Sequence, residues 1–287
     1  MQYLLILAPC LIATVKMVVQ RNFGKRNVKT MTDVAFFYFG IFLIASLLFC
    51  YRLPSASGMC WLFAAIFGLF SATYQLFYTR ALATGPVSLV GLLVNLAMLI
   101  PVTFSAVVYE EPITPLRAFG IFLVLASFLL SVERGNGKKH EGKGWIFYAF
   151  VTMLANGTCA IVQKIYVKNA GDAADGQTFT ACCYLTASVL CLAFFCMTHW
   201  HGKKVSYHIG KSFLGYALLL GLLLGGFQAI NTYAVSAVVG TLFFPGYYGT
   251  SIVLAMLAGV IVCKDKLTLR QVAAILIGTV AVVLVNL

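Results

Sequence analysis

Two glutamines hold equivalent places in a nine-residue segment that the chain contains twice. Gln75 and Gln228 lie 153 residues apart, with a Thr and an Ala also in register. A neutral amide both donates and accepts hydrogen bonds, which suits recognition of a zwitterionic or polar neutral solute. The alternative is that each amide only joins neighbouring helices. One turn further on, Tyr78 and Asn231 form a second equivalent pair, with Tyr74 as a nearby aromatic wall.

Other polar groups interrupt apolar stretches of the chain. Asn95 and Asn156 are amides in apolar surroundings, and Asn156 precedes a glycine, which predicts a local opening of its helix. Helix packing is the alternative for both. The segment Pro245-Gly246-Tyr247-Tyr248-Gly249 predicts an interrupted helix of the kind that exposes backbone polar groups to a cavity. Tyr247 and Tyr248 are then expected in the cavity wall.

Lys16 is the one basic residue well inside an apolar run. An ammonium at the centre of a membrane helix costs about 2.5–3.5 kcal/mol on insertion scales, so it requires a partner or a route to water. One interpretation is snorkelling, because Lys16 precedes Arg21 by only about one turn, roughly 6–8 Å. The other is that Lys16 faces a cavity and attracts a carboxylate or a phosphate.

The acidic residues and histidines argue against covalent chemistry. All eight Asp and Glu residues and all four His residues are predicted in loops or at the ends of apolar runs. We therefore expect no catalytic residues, no metal site and no cofactor, and the leading interpretation is not an enzyme. A proton-coupled exporter of cations normally uses a buried carboxylate, so uniport or exchange fits this chain better.

Composition indicates that these residues lie in a lipid bilayer. Of 287 residues, 61% are hydrophobic and only 10% are charged, whereas about a quarter are charged in soluble proteins. About 20 apolar residues span the bilayer as a helix, and runs that are apolar on all faces predict helices rather than barrel strands. The ten runs are 2–20, 34–51, 58–79, 86–109, 116–132, 145–165, 177–198, 211–233, 239–263 and 269–287.

The charged residues indicate how the spans are oriented. The net charge of +12 comes from loop residues, which contact lipid head groups and do not indicate nucleic-acid binding. Most Lys and Arg residues follow the first, third, fifth, seventh and ninth runs. By the positive-inside rule these loops are cytoplasmic, and both termini face outward.

The internal repeat predicts an all-α membrane protein of two inverted halves. Five spans in each half make the second copy enter the membrane in the opposite direction, with a substrate site near the interface between the halves. We predict a first repeat at 1–135, a basic connecting loop at 136–143 and a second repeat at 144–287. Stripes of small residues predict either a seam between the halves or a homodimer interface. The two stripes are Ala97, Pro101, Ser105 and Ser251, Ala255, Gly259.

Each half carries a short polar motif before its last run. The motifs are Glu110-Glu111-Pro112-Ile113-Thr114 and Lys264-Asp265-Lys266-Leu267-Thr268. Together with five helices per half, they resemble the drug/metabolite transporter superfamily, specifically its EamA-type members, over the whole chain. The resemblance implies a ten-helix carrier that moves small metabolites by alternating access, often amino acids or related compounds outward. It also implies termini in the cytoplasm, opposite to the charge-based orientation.

The leading hypothesis is a secondary carrier that exports small polar metabolites across the plasma membrane, with a bacterial inner membrane as the expected location. Its partners are then a small solute and lipid. A second hypothesis is a carrier of cationic or quaternary amines or drugs, held in an aromatic cage. Its cage would consist of Tyr74, Tyr78, Tyr247 and Tyr248. Lys16 and the missing buried acid oppose it. A membrane enzyme and a non-transporting scaffold are the alternatives outside transport.

Overall fold

The computed structural model describes residues 2–27, 31–84, 94, 96–131, 144–170, 175–200, 211–261 and 269–286, and within them all regular structure is helical. Each predicted run coincides with a helix, although the fourth does so only in its second half. Two short 3-10 helices occur at Cys50–Ser55 and Leu96–Met98. The α-helices are α1 Gln2–Asn27, α2 Met31–Leu47, α3 Gly58–Thr84, α4 Leu99–Val108, α5 Pro115–Ser131, α6 Gly144–Ala170, α7 Gly176–Trp200, α8 Lys211–Ala237, α9 Gly240–Ile261 and α10 Leu269–Asn286.

Four of these helices, α3, α6, α7 and α8, are long and apolar enough to cross a membrane. Shorter apolar helical stretches occur at Leu4–Val19, Met31–Leu47, Leu96–Val108 and Pro115–Ser127. Large apolar side chains also cover the outside of the bundle, as Leu4, Phe122 and Leu129 do with more than half of their surface exposed. A bundle with an apolar exterior requires lipid around it. The count of ten spans stays a prediction.

Many of the helix contacts recur when the two halves are exchanged, although the contact of α9 with α10 has no counterpart of similar extent between α4 and α5. Equivalent helices contact each other in the pairs α2 with α7, α4 with α9 and α5 with α10. The contacts of α1 with α8 and α9 are matched by those of α6 with α3 and α4. This pattern fits a two-repeat architecture related by a pseudo-twofold axis. At the α2–α7 contact the rings of Phe42 and Tyr184 stack, with centroids 5.3 Å apart, and both side chains are fully buried.

Equivalent glycines allow close crossings between the halves. A Cβ added at Gly68 in α3 would lie 2.8 Å from the carbonyl oxygen of Cys183 in α7. Gly221 in α8 also lies 153 residues further along, and a Cβ there would lie 3.1 Å from the carbonyl oxygen of Ile41 in α2. Real Cβ atoms do not approach backbone oxygens as closely as 2.8 Å. The repeat therefore preserves glycine at its two equivalent helix crossings.

Side-chain caps fix where two of the helices begin. Thr114 Oγ1 accepts a hydrogen bond from the Arg117 backbone N–H at 3.3 Å, and Pro115 occupies the first position of α5. Asp175 Oδ1 accepts one from the Gln177 N–H at 2.9 Å, at the start of α7. Both arrangements satisfy N–H groups that a helix leaves without a partner. The Thr of the first polar motif thus acts as a helix cap.

Two predicted helix interruptions are wrong. α9 continues through Pro245, its sixth residue, whose missing N–H removes one backbone hydrogen bond without ending the helix. α6 likewise continues through Asn156 and Gly157. Gly157 serves packing instead, since a Cβ there would lie 2.8 Å from Cβ of Ile100 in α4.

The fourth run begins differently from its prediction. Residues 85–93 and 95 lie outside the described part of the chain, and α4 begins only at Leu99, after a 3-10 turn. Pro101 occupies the first turn of α4, where proline is tolerated. It therefore does not interrupt that helix. With Ala97 and Ser105 it is buried inside the chain, where α4 contacts α9.

Candidate functional site

A cavity of about 100 Å³ lies among α3, α6, α8 and α9. A small solute fits a space of this size better than a drug-sized ligand, whose pockets measure roughly 300–1,000 Å³. Within the described residues, none of the side chains that line the cavity is a carboxylate. The lining residues are Phe67, Asn156, Cys159, Ala160, Gln163, Phe227, Gln228, Asn231, Phe243, Phe244, Tyr247 and Tyr248.

A hydrogen-bonded network of amides and a hydroxyl forms one wall of this cavity. Gln163 Nε2 donates to Thr232 Oγ1 at 2.8 Å, and Asn231 Nδ2 donates to Gln163 Oε1 at 3.0 Å. Thr232 Oγ1 donates in turn to the backbone carbonyl of Gln228 at 2.9 Å. Gln163 and Asn231 are only 3% and 8% exposed, and Asn231 Oδ1 has no partner among the described residues. The network therefore leaves one buried acceptor available to a ligand.

Aromatic side chains from α9 form the opposite wall. The rings of Phe243 and Tyr247 stack with centroids 5.9 Å apart, and Tyr248 meets Tyr247 edge to face at 5.3 Å. Asn156 Nδ2 donates to the Tyr248 hydroxyl at 3.1 Å. Cys10 Sγ of α1 donates to the Tyr247 carbonyl at 3.4 Å. These contacts hold the tyrosines in place and join both halves of the chain at the cavity.

Lys16 lies beside a second, much smaller cavity. Its Nζ atom is 5.1 Å from the ring centroid of Phe227, which also lines the larger cavity. Lys16 and Gln75 line this space of about 10 Å³ together with Tyr38, Ile41, Leu220 and Leu224. α1 continues for 11 residues beyond Lys16, about 16 Å along the helix axis. The apolar part of α1 ends sooner, at Val19, so snorkelling and a Lys16 that faces a cavity both stay predictions.

A buried ion pair joins the halves at a different place. The chain turns at Glu110, which has a left-handed backbone (φ 51°), and Glu111 then turns inward. Glu111 Oε1 lies 3.0 Å from Lys164 Nζ, with side chains 9% and 4% exposed. Glu111 Oε2 accepts a hydrogen bond from the Thr241 backbone N–H at 3.0 Å, at the start of α9. One carboxylate thus binds both α6 and α9 of the second half.

Tyr109 and Lys168 lie next to this ion pair. Lys168 Nζ is 5.2 Å from the ring centroid of Tyr109. Burial and, to a lesser degree, the charge of Glu111 raise the pKa of the Tyr109 hydroxyl above its ordinary value. The hydroxyl therefore stays protonated at neutral pH.

Sequence comparison identifies the family of this bundle. The model of the EamA-like transporter family matches residues 1–132 and 143–287, which is nearly the whole chain. The chain belongs to the EamA-like transporter family. Since its helices are also apolar and numerous, this EamA-like transporter is a multi-pass membrane protein.

Structure comparison supports the same fold. The EamA-like transporter is similar to a solved structure described as "Crystal structure of protein", with a TM-score of 0.71 and 18% identity, over 99% of this chain and 95% of the other. At this identity the likeness concerns the fold alone. No curated protein matches the sequence.

The structure groups the ten predicted site residues of this EamA-like transporter unequally. Five of them line the larger cavity, namely Asn156, Gln228, Asn231, Tyr247 and Tyr248. Lys16 and Gln75 line the smaller one. Tyr74 and Tyr78 stack on each other, with centroids 5.5 Å apart, and line neither cavity. Asn95 lies outside the described residues.

Sequence reasoning missed two contributions to this region. Gln163, which bridges Asn231 and Thr232, was not predicted, although Val162-Gln163-Lys164 matches Val19-Gln20-Arg21 in the first half. Lys164 lies near the end of the predicted run at 145–165, and the sequence did not indicate that α6 would bury it. The repeat contained a signal for Gln163, whereas only the three-dimensional packing reveals the partner of Lys164.

Proposed function

We propose that this EamA-like transporter is a secondary carrier that exports small polar metabolites, such as amino acids or related compounds, by alternating access. The proposal includes ten membrane spans arranged as two inverted repeats in the plasma membrane, with a bacterial inner membrane as the expected one. The observation that carries it is the hydrogen-bonded network of Gln163, Asn231 and Thr232, of which Gln163 and Asn231 line the larger cavity.

This network favours solute binding over simple helix adhesion. Two helices can be joined by one interhelical hydrogen bond, worth about 0.6 kcal/mol on average in a membrane. Here two buried amides of the network, Gln163 and Asn231, line one cavity, and Asn231 Oδ1 still lacks a donor among the described residues. A buried acceptor without a partner costs about 1–3 kcal/mol. A solute that donates to it would recover much of this cost.

The cavity lining also bears on coupling. Within the described part of the chain no carboxylate lines either cavity. Exchange between proton and substrate on a buried carboxylate is therefore not the favoured mechanism. We favour uniport or exchange of solutes.

A carrier of cationic or quaternary amines is the second candidate, because the rings of Phe243, Tyr247 and Tyr248 line the same cavity. Aromatic faces attract such cations. The Lys16 ammonium, on the far side of Phe227, opposes it by repulsion. The Lys16 ammonium thus favours an anionic solute, whereas the aromatic rings favour a cationic one.

Both candidates can be tested by a thermal-stabilisation screen of the purified protein against amino acids, nucleosides, organic anions and amines. A ligand that binds the native state raises the melting temperature. We expect a polar solute to do so in the wild type and in Asn169→Leu, which removes an exposed amide from the same helix. We expect the shift to be lost in Gln163→Leu.

The outcomes separate the candidates. A shift with amines alone would favour the cationic carrier, and no shift with any solute class would contradict the proposed function. A solute shift that survives in Gln163→Leu would place binding elsewhere. Transport of the identified solute into proteoliposomes, with and without a pH gradient, then tests the coupling.

A further inference from the structure

The charge of Lys16 has no countercharge in the described structure. Its Nζ atom contacts the Phe227 ring, 5.1 Å from the centroid, and no ion pair forms between Lys16 and a described carboxylate. Another buried lysine of the chain does form an ion pair, since Lys164 Nζ lies 3.0 Å from a Glu111 oxygen. Charged groups inside membrane helices are costly and usually have partners. Lys16 therefore differs from a lysine that serves structure alone.

A second polar group without a partner lies beside it. Gln75 is 5% exposed, and its Oε1 atom has no hydrogen-bond partner among the described residues. Gln75 and Lys16 line the same small cavity. The oxygen and nitrogen of a glutamine amide are interchangeable by rotation. This amide can therefore donate to a ligand that the ammonium also binds.

Phe227 connects this corner to the larger cavity. Lys16 Nζ lies over the Phe227 ring, and the same ring lines the larger cavity together with Gln163 and Asn231. A cation–π contact is weaker than an ion pair with good hydrogen bonds. An anion that enters from the larger cavity would thus give Lys16 a better partner than Phe227 does.

We propose that Lys16 and Gln75 form a subsite for an anionic group of the solute, a carboxylate or a phosphate. This inference rests on the proposed function and specifies its substrate class. The uncharged part of the solute then contacts the amide network, where Asn231 Oδ1 accepts a hydrogen bond from it. The same ammonium excludes quaternary amines, because it would lie close to their charge.

The inference is tested with matched solutes on the full-length protein in detergent. One arm compares amino acids and small carboxylic acids with their carboxamides, and a second compares phosphate monoesters with the parent alcohols. Binding is measured by the shift in melting temperature and by titration calorimetry. The variants are Lys16→Met, Lys16→Arg and Gln75→Leu. Lys168→Met is the control, because this lysine also lies over an aromatic ring, at 5.2 Å, but lines neither cavity.

We expect anionic solutes of one arm to bind the wild type, and their neutral analogues to bind at least about tenfold more weakly. Lys16→Met and Gln75→Leu should lose that preference, whereas Lys16→Arg and Lys168→Met should retain it. Without solute, Lys16→Met should melt at or above the wild-type temperature, because an unpaired cation has been removed. A marked loss of stability would show that the lysine serves structure and would contradict the inference.

The remaining outcomes decide between the anion subsite and the proposed carrier function. Equal binding of anions and neutral analogues, or unchanged anion binding in Lys16→Met, overturns the subsite. If neutral or cationic solutes bind and require Gln163 but not Lys16, the proposed carrier function stands while this inference fails. If no solute of any charge binds the wild type, both fail.

Discussion

Replacement of Glu111 by Gln is expected to destabilise the protein strongly. The glutamine side chain keeps the shape of glutamate and one oxygen that can accept from the Thr241 N–H. In the wild type the Thr241 nitrogen lies 3.0 Å from Glu111 Oε2. The variant loses the charge that lies 3.0 Å from Lys164 Nζ. The ammonium of Lys164, only 4% exposed, is then buried without a countercharge.

The size of the stability loss in Glu111→Gln follows from the burial of this ion pair. Removal of one partner from a buried ion pair costs about 3–5 kcal/mol, mostly from the charge left behind. Loss of a negative charge at the α9 N-terminus adds about 0.3–1 kcal/mol. For a chain of this size a loss of that order lowers the melting temperature by about 10 °C. Lys164→Met should cost a similar amount, since it leaves the Glu111 carboxylate unpaired.

The double variant provides the decisive comparison. In Glu111→Gln with Lys164→Met no buried charge remains, so its loss of stability should be clearly smaller than the sum of the single losses. Thermal melting in detergent, followed by size exclusion, measures all three. Asp175→Asn is the control, because its pair with Arg52 is 3.9 Å long and both side chains are more than a third exposed. Such a pair contributes at most about 1 kcal/mol.

Two results would refute this reasoning. Glu111→Gln could melt at the same temperature as Asp175→Asn, which would mean that Lys164 reaches water or another partner. The single losses could instead add fully in the double variant, which would mean that the two side chains stabilise the protein independently.

Three further predictions concern packing, a cavity hydrogen bond and orientation. Gly68→Ala should cost about 1–3 kcal/mol through overpacking against a backbone oxygen 2.8 Å away, whereas Gly215→Ala, with open space around it, should leave the melting temperature unchanged or raise it slightly, because alanine favours the helix. Tyr248→Phe removes the acceptor of the Asn156 amide and should cost about 0.5–1.5 kcal/mol in thermal melting; an unchanged stability would show that the bond is not formed. Asn136→Cys tests the positive-inside orientation, since labelling by an impermeant thiol reagent from outside the cell would contradict it.

The sequence predicted where the helices lie better than it predicted which of their residues are buried or interrupt them. Apolar runs in lipid must be helical, so each run coincided with a helix, and long helices such as α6 exceeded their runs by a few polar residues. Lys164 lies near the end of its run, and its burial depends on Glu111 from another part of the chain. Pro245 failed as a helix breaker, since α9 continues through it with the loss of one backbone hydrogen bond.

The site was predicted in part, because a repeat identifies equivalent positions but not the contacts they make. Gln228 and Asn231 do line a cavity, yet Gln75 lines a different one. Gln163 has a counterpart in the first half, Gln20, but that match does not show which contacts the side chain makes. Its importance comes from two partners on α8, Asn231 and Thr232, and a single sequence does not reveal that α6 and α8 are neighbours there.

The position of the solute is tested most directly by protection of Cys159, which lines the larger cavity beside Gln163. In a variant that retains Cys159 as its one cysteine, the rate of modification by a small thiol reagent is measured against the concentration of a solute found in the thermal screen. We predict that the solute slows modification, with half-protection at its dissociation constant, and that Gln163→Leu abolishes the protection. A solute that binds and raises the melting temperature while Cys159 reacts at its original rate would contradict a solute site in this cavity.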